Sequence, residues 1–186
     1  ATKLPFEDNF FDRIIATEIL EHIPDDEKAI AEMYRVLKPG GIVMISVPNA
    51  NYPFLWDPLN WILERTFNWH LPSNIWWLSG IWADHVRLYS ESELKNKIEK
   101  TGFKVEKVWH ATHYCFPFSH FIFYAIGKNL VEKGLFSNFN RFKQKKKQNK
   151  FFMIVSSILK NIDKTNDQNR ISESRTSVNL CFFLKK

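Results

Sequence analysis

Glu18, Glu21 and His22 fall within five residues of one another, directly after the apolar run Phe11-Asp12-Arg13-Ile14-Ile15-Ala16-Thr17. Two carboxylates beside an imidazole are equipped for acid–base chemistry on a bound ligand, and His22 is the member that titrates near neutral pH. On a helix, Glu18 and Glu21 stand one turn apart and His22 shares the face of Glu18. The run before them reads as a buried strand. Side chains just past the carboxyl end of such a strand lie where open α/β sheets bind ligands.

The flanking pattern supplies the elements that hold this cluster in place. Pro24 and Asp25 open a helix predicted over 26–37. Asp26 and Glu27 suit its positive end, and Ala29, Ile30, Met33, Tyr34 and Leu37 form its buried face. Pro39-Gly40-Gly41 stops it and turns the chain into a second apolar strand over 42–47, closed by Pro48-Asn49. Strand, helix, strand at this length is a right-handed parallel crossover. A further helix is predicted over 91–100, capped by Ser90 with Glu93 as capping-box partner, turned inward by Leu94 and Ile98 and ended by Gly102. Alternation over 103–109 predicts a strand with one solvated face, and 178–184 one more.

This plan has a core of residues 1–49, 84–110 and 177–186, and two mainly helical insertions. The first, 50–83, holds six of the seven tryptophans. The second, 111–176, carries helical stripes at Phe121, Ile122, Ala125, Ile126, Leu130 and at Phe151, Phe152, Ile154, Val155, Ile158. The net charge of +6 is the charge of one run, 141–150, with six cations and no anion, so the rest of the chain is neutral. Such a run suits anionic lipid or nucleic acid, and is more often a solvated loop. Cys115 and Cys181 make no disulfide framework, which points to a reducing cytosol. No signal peptide is visible. The best apolar run, 115–127, falls short of the ~20 residues a spanning helix needs. A first strand this apolar needs neighbours on both sides. The chain therefore reads as a piece of a longer protein.

Four segments occur in a telling order: Leu4-Pro5-Phe6 with Phe11-Asp12; Glu18-Ile19-Leu20-Glu21-His22-Ile23-Pro24-Asp25; Arg35-Val36-Leu37-Lys38-Pro39-Gly40-Gly41; and His85-Val86-Arg87-Leu88-Tyr89-Ser90. Together they resemble class I S-adenosylmethionine-dependent methyltransferases, nearest to the group that includes the ubiquinone-biosynthesis O-methyltransferases. The resemblance covers 4–48 and 84–109 with the final strand, and leaves both insertions without a counterpart. It implies an α/β fold, the C-terminal half of a Rossmann-like seven-stranded sheet whose last strand is antiparallel. It also implies S-adenosylmethionine as cofactor. Ala1, Thr2 and Leu4 would border the adenine, and Thr17 and Glu18 would approach the methionine portion. The Gly-rich turn that cradles this cofactor has no counterpart here, so these residues alone are expected to bind it weakly or not at all and to expose a sheet edge at Phe11–Thr17.

Methyl transfer needs alignment and often removal of a proton, and His22 is the candidate base. Some relatives bind a divalent ion through the Glu-x-x-Glu-His pattern with a later histidine, which implies Glu18, Glu21, His22 and His85 as metal ligands. Such a set suits Mn²⁺, Zn²⁺ or Co²⁺ better than Mg²⁺. The alternative is that Glu21 and His22 only orient the strand–helix turn. His70, His110, His113 and His120 lack ligand spacing and read as ordinary histidines. The Trp-rich insertion is expected over the cofactor pocket, either as a lid for a hydrophobic or lipid-linked acceptor or as a self-packed subdomain. The second insertion suggests peripheral membrane contact, or helices packed across a charged loop. No base-reading motif points to nucleic acid. The expected activity is methyl transfer to a small apolar acceptor in the cytoplasm, with oxygen favoured. The alternative is a non-catalytic module for membrane or protein interaction.

Overall fold

The computed structural model describes residues 1–75, 79–115, 157, 160–162, 164–166 and 176–186. Its frame is a four-stranded sheet in the order β1-β2-β4-β3. β1 (Phe11–Thr17) runs parallel to β2 (Leu37–Pro48). β4 (Asn179–Lys185) lies antiparallel to both β2 and β3 (Lys104–Ala111). Between the parallel pair runs α1 (Asp26–Val36), whose cap Asp25 accepts the Lys28 amide at 3.1 Å. α3 (Glu91–Lys100) precedes β3 and is capped by Ser90, which accepts the Glu93 amide.

Alternation along the strands decides which face is dry. Val43, Ile45 and Val47 of β2 and Leu180, Phe182 and Leu184 of β4 are buried in one cluster with Ala29, Ile30 and Met33 of α1 and Leu94 and Ile98 of α3. Each of these side chains larger than alanine contributes about 1.5–3 kcal/mol on burial. Lys186 locks the end of the last strand: its Nζ donates to the carbonyls of Tyr34 and Leu37 at 2.7 Å and to Asn9 Oδ1 at 2.9 Å.

Two sequence expectations need correction. β1 is not buried on both faces. Among the described residues it pairs only with β2, only Ala16 along it is buried, and Ile15 is 71% exposed. Among the described residues the outer edge at Phe11–Thr17 is open, as expected. β2 also starts earlier than 42–47 suggests. Leu37 already pairs with Phe11, and the register then jumps so that Arg13 faces Ile42. Pro39, Gly40 and Gly41 lie within that jump, with Gly40 at φ 77° and its amide donating to the Lys186 carbonyl at 3.0 Å.

The Trp-rich segment builds a small second core. Tyr52, Ile81 and Leu88 are buried, and Trp56, Trp61 and Trp82 pack against them. Its helix α2 (Pro58–Phe67) starts at Asp57, a buried carboxylate that accepts from the Asn60 amide, Asn60 Nδ2 and the Ile81 amide. Gly80 makes that reach possible. It sits at φ 61°, and a Cβ there would lie 1.7 Å from Asp57 Oδ2. Gly80→Ala is therefore expected to destabilise this segment by roughly 2–4 kcal/mol through backbone strain and overpacking. Denaturation followed by tryptophan fluorescence measures it, and a wild-type midpoint would contradict the packing described. Trp76 and Trp77, the stripes at Phe121 and Phe151, and the basic run 141–150 lie outside the described residues, apart from 157 and 160–162. Among the described residues no helix is long and apolar enough to cross a membrane.

Candidate functional site

The parallel pair β1–β2 delivers Thr17 and Ser46 to one rim of the sheet, as register partners. The chain leaves β1 through Glu18, which adopts a left-handed φ of 51° while its amide still donates to the Ser46 carbonyl at 2.9 Å. This conformation is uncommon for a residue with a Cβ, and it fixes where the carboxylate goes. Glu18 Oε1 accepts from Ser46 Oγ at 2.7 Å and from Asn179 Nδ2 at 2.9 Å. The side chain stays exposed at the rim, beside the end of β2 and the start of β4.

Residues Leu20–His22 form a single 3-10 turn rather than the start of an α-helix. Glu18 lies outside that turn, so the expected stacking of Glu18 over Glu21 does not occur. Glu21 points inward instead. It is fully buried, and neither of its carboxylate oxygens has a hydrogen-bond partner. Burial, with the charge of Glu18 adding to it, raises its pKa to about 7. Its own backbone N–H pulls the value back in part without meeting ordinary hydrogen-bond geometry.

The return of the Trp-rich segment closes the site. Asp84, at φ 61°, offers its carbonyl to His22 Nδ1 at 2.8 Å. The Val86 amide donates to the Glu21 carbonyl at 2.8 Å, and His85 Nδ1 lies 2.6 Å from the Ile81 carbonyl. The His22 and His85 rings meet edge to face at 4.8 Å between centroids. Glu21, His22 and His85 thus converge, each offering one ligand atom within 4.8 Å of the other two. Of the four residues expected as metal ligands, three come together and Glu18 does not.

Behind this cluster, Arg87 donates to the carbonyls of Ile23 and Pro24 at 2.9 and 2.6 Å. Asp26, 4% exposed, gathers Tyr89 Oη and Lys97 Nζ at 2.7 Å each and Arg87 Nη1 at 3.0 Å through Oδ2. This network anchors 85–90 to the start of α1. Sequence reasoning gave Asp26 only a helix-dipole role, because its partners lie 61 or more residues away and leave no local signal. Leu4 is fixed elsewhere, with its amide on Glu32 Oε2 at 2.8 Å and its carbonyl on Arg35 Nη2 at 3.1 Å, both in the C-terminal half of α1. Ala1 is exposed and Thr2 half-buried. No hydrogen bond joins Ala1, Thr2 or Leu4 to Thr17 or Glu18 among the described residues. His110 bridges Glu91 Oε2 and Ser177 Oγ at 3.0 Å each, while His70 stacks on Trp82 and His113 is buried against Thr176.

A family model described as a methyltransferase domain matches residues 2–108, more than half of the chain. The chain belongs to the class I S-adenosylmethionine-dependent methyltransferases. Among curated proteins it is 32% identical over 120 residues to the ubiquinone/menaquinone biosynthesis C-methyltransferase UbiE of Vibrio cholerae, covering 60% of this chain and 45% of that protein. The corresponding protein of Burkholderia mallei is 29% identical over 121 residues, covering 59% and 46%. The chain therefore spans under half the length of these relatives. A SAM-dependent methyltransferase structure from Thermotoga maritima superposes with a TM-score of 0.51 at 16% identity, covering 100% of this chain and 60% of that one. That likeness concerns the fold, and the antiparallel last strand β4 is what the resemblance implied. At the rim, Thr17 and Glu18, which the resemblance places near the methionine portion of the cofactor, are both exposed. Gly40 is the first glycine in the chain, so no Gly-rich turn precedes β1.

Proposed function

We propose that these residues form the acceptor-side half of a methyltransferase that methylates a small apolar molecule, and that the acceptor atom is the ring carbon of a phenol or quinol. The observation that carries this reading is the path of the Trp-rich segment. It leaves the sheet at the carboxyl end of β2, where Asn49 bridges to Tyr89, and returns so that His85 packs on His22 at the rim. Phe54, Leu55, Leu59, Ile62, Phe67 and Trp69 of this segment are exposed, an apolar surface suited to a greasy acceptor. The resemblance to ubiquinone-biosynthesis O-methyltransferases favours oxygen as acceptor. The carbon chemistry in the names of the Vibrio and Burkholderia relatives turns the proposal to carbon.

When bound, the cofactor supplies an activated sulfonium methyl for in-line transfer, and sulfur keeps the electron pair of the broken bond. Thr17 and Glu18 hold the methionine end, with Glu18 Oε1 steadied by Ser46 and Asn179 so that Oε2 accepts from the ligand. Residues 50–83 cover the acceptor and exclude water. His22 stands at the site but holds Nδ1 on Asp84 and turns Nε2 toward Glu21, 3.6 Å away. Its geometry supports positioning over the role of a base.

The test is transfer of labelled methyl, by a longer protein that joins these residues to a Gly-rich cofactor turn, to polyprenylated phenols carried in anionic vesicles, with the product's methyl located by NMR. Methyl on a ring carbon is expected, as is co-flotation of the protein with the vesicles. Glu18→Gln should weaken S-adenosylhomocysteine binding by roughly ten- to a hundredfold, the worth of a charge-assisted hydrogen bond. A methyl found on oxygen would overturn the carbon assignment. Absent cofactor binding together with vesicle or protein association would favour the non-catalytic module, to which the missing Gly-rich turn already lends weight.

A further inference from the structure

Between the carboxyl ends of β2 and β3 and the start of α3 lies a cavity of about 400 Å³ that the proposed reaction does not use. Asn49, Ser90, Glu91, Ser92, Lys95 and His110 line it, and every lining side chain is polar or charged. Such a lining does not suit a greasy acceptor. It lies outside the carboxyl ends of two strands that point the same way, where open α/β sheets take up ligands.

One wall of the cavity is fixed by its own hydrogen bonds. Ser177 Oγ has a single proton, which goes to the Asn179 carbonyl at 3.0 Å, and it accepts from Asn49 Nδ2 at 3.0 Å. His110 Nδ1, also 3.0 Å away, therefore donates to it, a tautomer assigned from the hydrogen bonds. His110 Nε2 in turn meets Glu91 Oε2 at 3.0 Å. Two charged groups remain for a ligand. Glu91 and Lys95 stand one turn apart on α3 with the acid first, the order that favours an ion pair. They do not pair. His110 holds Glu91 instead, and leaves its Oε1 without a protein partner among the described residues. Lys95 pairs among them with Glu99, at 3.9 Å between two half-exposed side chains, a contact of little strength.

We propose that this cavity binds a free α-amino acid as its zwitterion. The ligand's ammonium donates to Glu91 Oε1, and its carboxylate accepts from Lys95 Nζ and the Ser92 hydroxyl. A plain anion would meet the Glu91 carboxylate, and a plain cation would meet Lys95. A ligand carrying both signs satisfies the two together through charge-assisted hydrogen bonds. The lining then selects a polar side chain, such as that of glutamine. Asn179 separates this site from the rim: its carbonyl takes the Ser177 proton, and its Nδ2 donates to Glu18 Oε1 at 2.9 Å. The inference stands on the cavity and its charges and does not depend on methyl transfer.

The test titrates L-glutamine into the full 186-residue chain labelled with nitrogen-15 and follows the backbone amide shifts. Saturable shifts are expected at Ser92, Lys95 and His110. Acetate and methylammonium each carry one of the two charges and should bind at least about tenfold more weakly, the worth of one charge-assisted hydrogen bond. Lys95→Gln and Glu91→Gln should each weaken glutamine by at least about tenfold. Lys95 is half-exposed, so its replacement keeps the fold, which an unchanged melting temperature verifies. Glu18→Gln should leave the affinity as it is, and S-adenosylhomocysteine should not displace the amino acid. Absence of saturable shifts, acetate or methylammonium as tight as glutamine, wild-type affinity in Lys95→Gln, a loss in Glu18→Gln, or displacement by S-adenosylhomocysteine would each overturn the assignment. None of these readouts involves catalysis, so they separate this inference from the proposed activity.

Discussion

Replacing Asp26 by asparagine is expected to destabilise the protein by about 3–5 kcal/mol, the range for removing one partner of a buried ion network. The reason is what remains. Lys97 and Arg87, with side chains only 18% and 22% exposed, would lose the carboxylate they share, and Tyr89 would lose its acceptor. Four parts of the molecule separate at that point: the start of α1, the turn at Ile23 and Pro24, the segment 85–90 and α3. Burial pushes the Asp26 carboxyl upward, but hydrogen bonds from Lys97 and Tyr89 and the charge of Arg87 outweigh it and hold it below its ordinary 3.8. A depressed acid stabilises the fold above its unfolded value and loses that contribution as pH falls through the folded one. Urea denaturation between neutral and acid pH should therefore show the wild type losing stability below about pH 4 and Asp26→Asn losing less. A change under about 1 kcal/mol at neutral pH would mean that the network is solvated and weak.

Glu21→Gln should do the opposite. With its pKa raised to about 7, Glu21 is charged at pH 8 and has no hydrogen-bonding partner inside the protein. Here the folded value lies above the unfolded one, so the stabilising contribution is complete below the ordinary 4.5 and is lost as pH rises to about 7. For metal-free protein the loss across that interval is on the order of 3 kcal/mol. The glutamine variant keeps the shape without the charge and should be more stable by a similar amount at pH 8. Thermal melts in chelator at pH 5 and pH 8 measure it. Equal melting temperatures for wild type and variant at both pH values would show that Glu21 reaches water. A substitution that strengthens the fold would mark a residue kept at the expense of stability.

Much of this was legible in the chain. The caps Asp25 and Ser90, the stop at Pro39-Gly40-Gly41 and the β-branched runs act through neighbours, so α1, α3, β2 and β4 could be read within a residue or a few. The position of the site past β1 followed from the same local logic. What could not be read depends on distant partners or on single backbone angles. The left-handed turn at Glu18 swings one carboxylate out to Ser46 and Asn179 while the next 3-10 turn carries Glu21 inward, and no spacing rule separates those outcomes. His85 was visible as a candidate only through family resemblance. Asp26 looked like a helix-end charge because Arg87, Tyr89 and Lys97 arrive from far along the chain.

The position of β4 has a consequence for how the molecule is made. Of the four described strands it is the last to leave the ribosome, yet it lies between β2 and β3, which do not pair with each other. Until residues 179–185 emerge, the nascent sheet stays split down its middle with two unmatched edges, a state open to wrong pairing. Closure across so long a separation is also slow. A truncation ahead of residue 179 would remove the keystone of the sheet and leave its flanks without a centre.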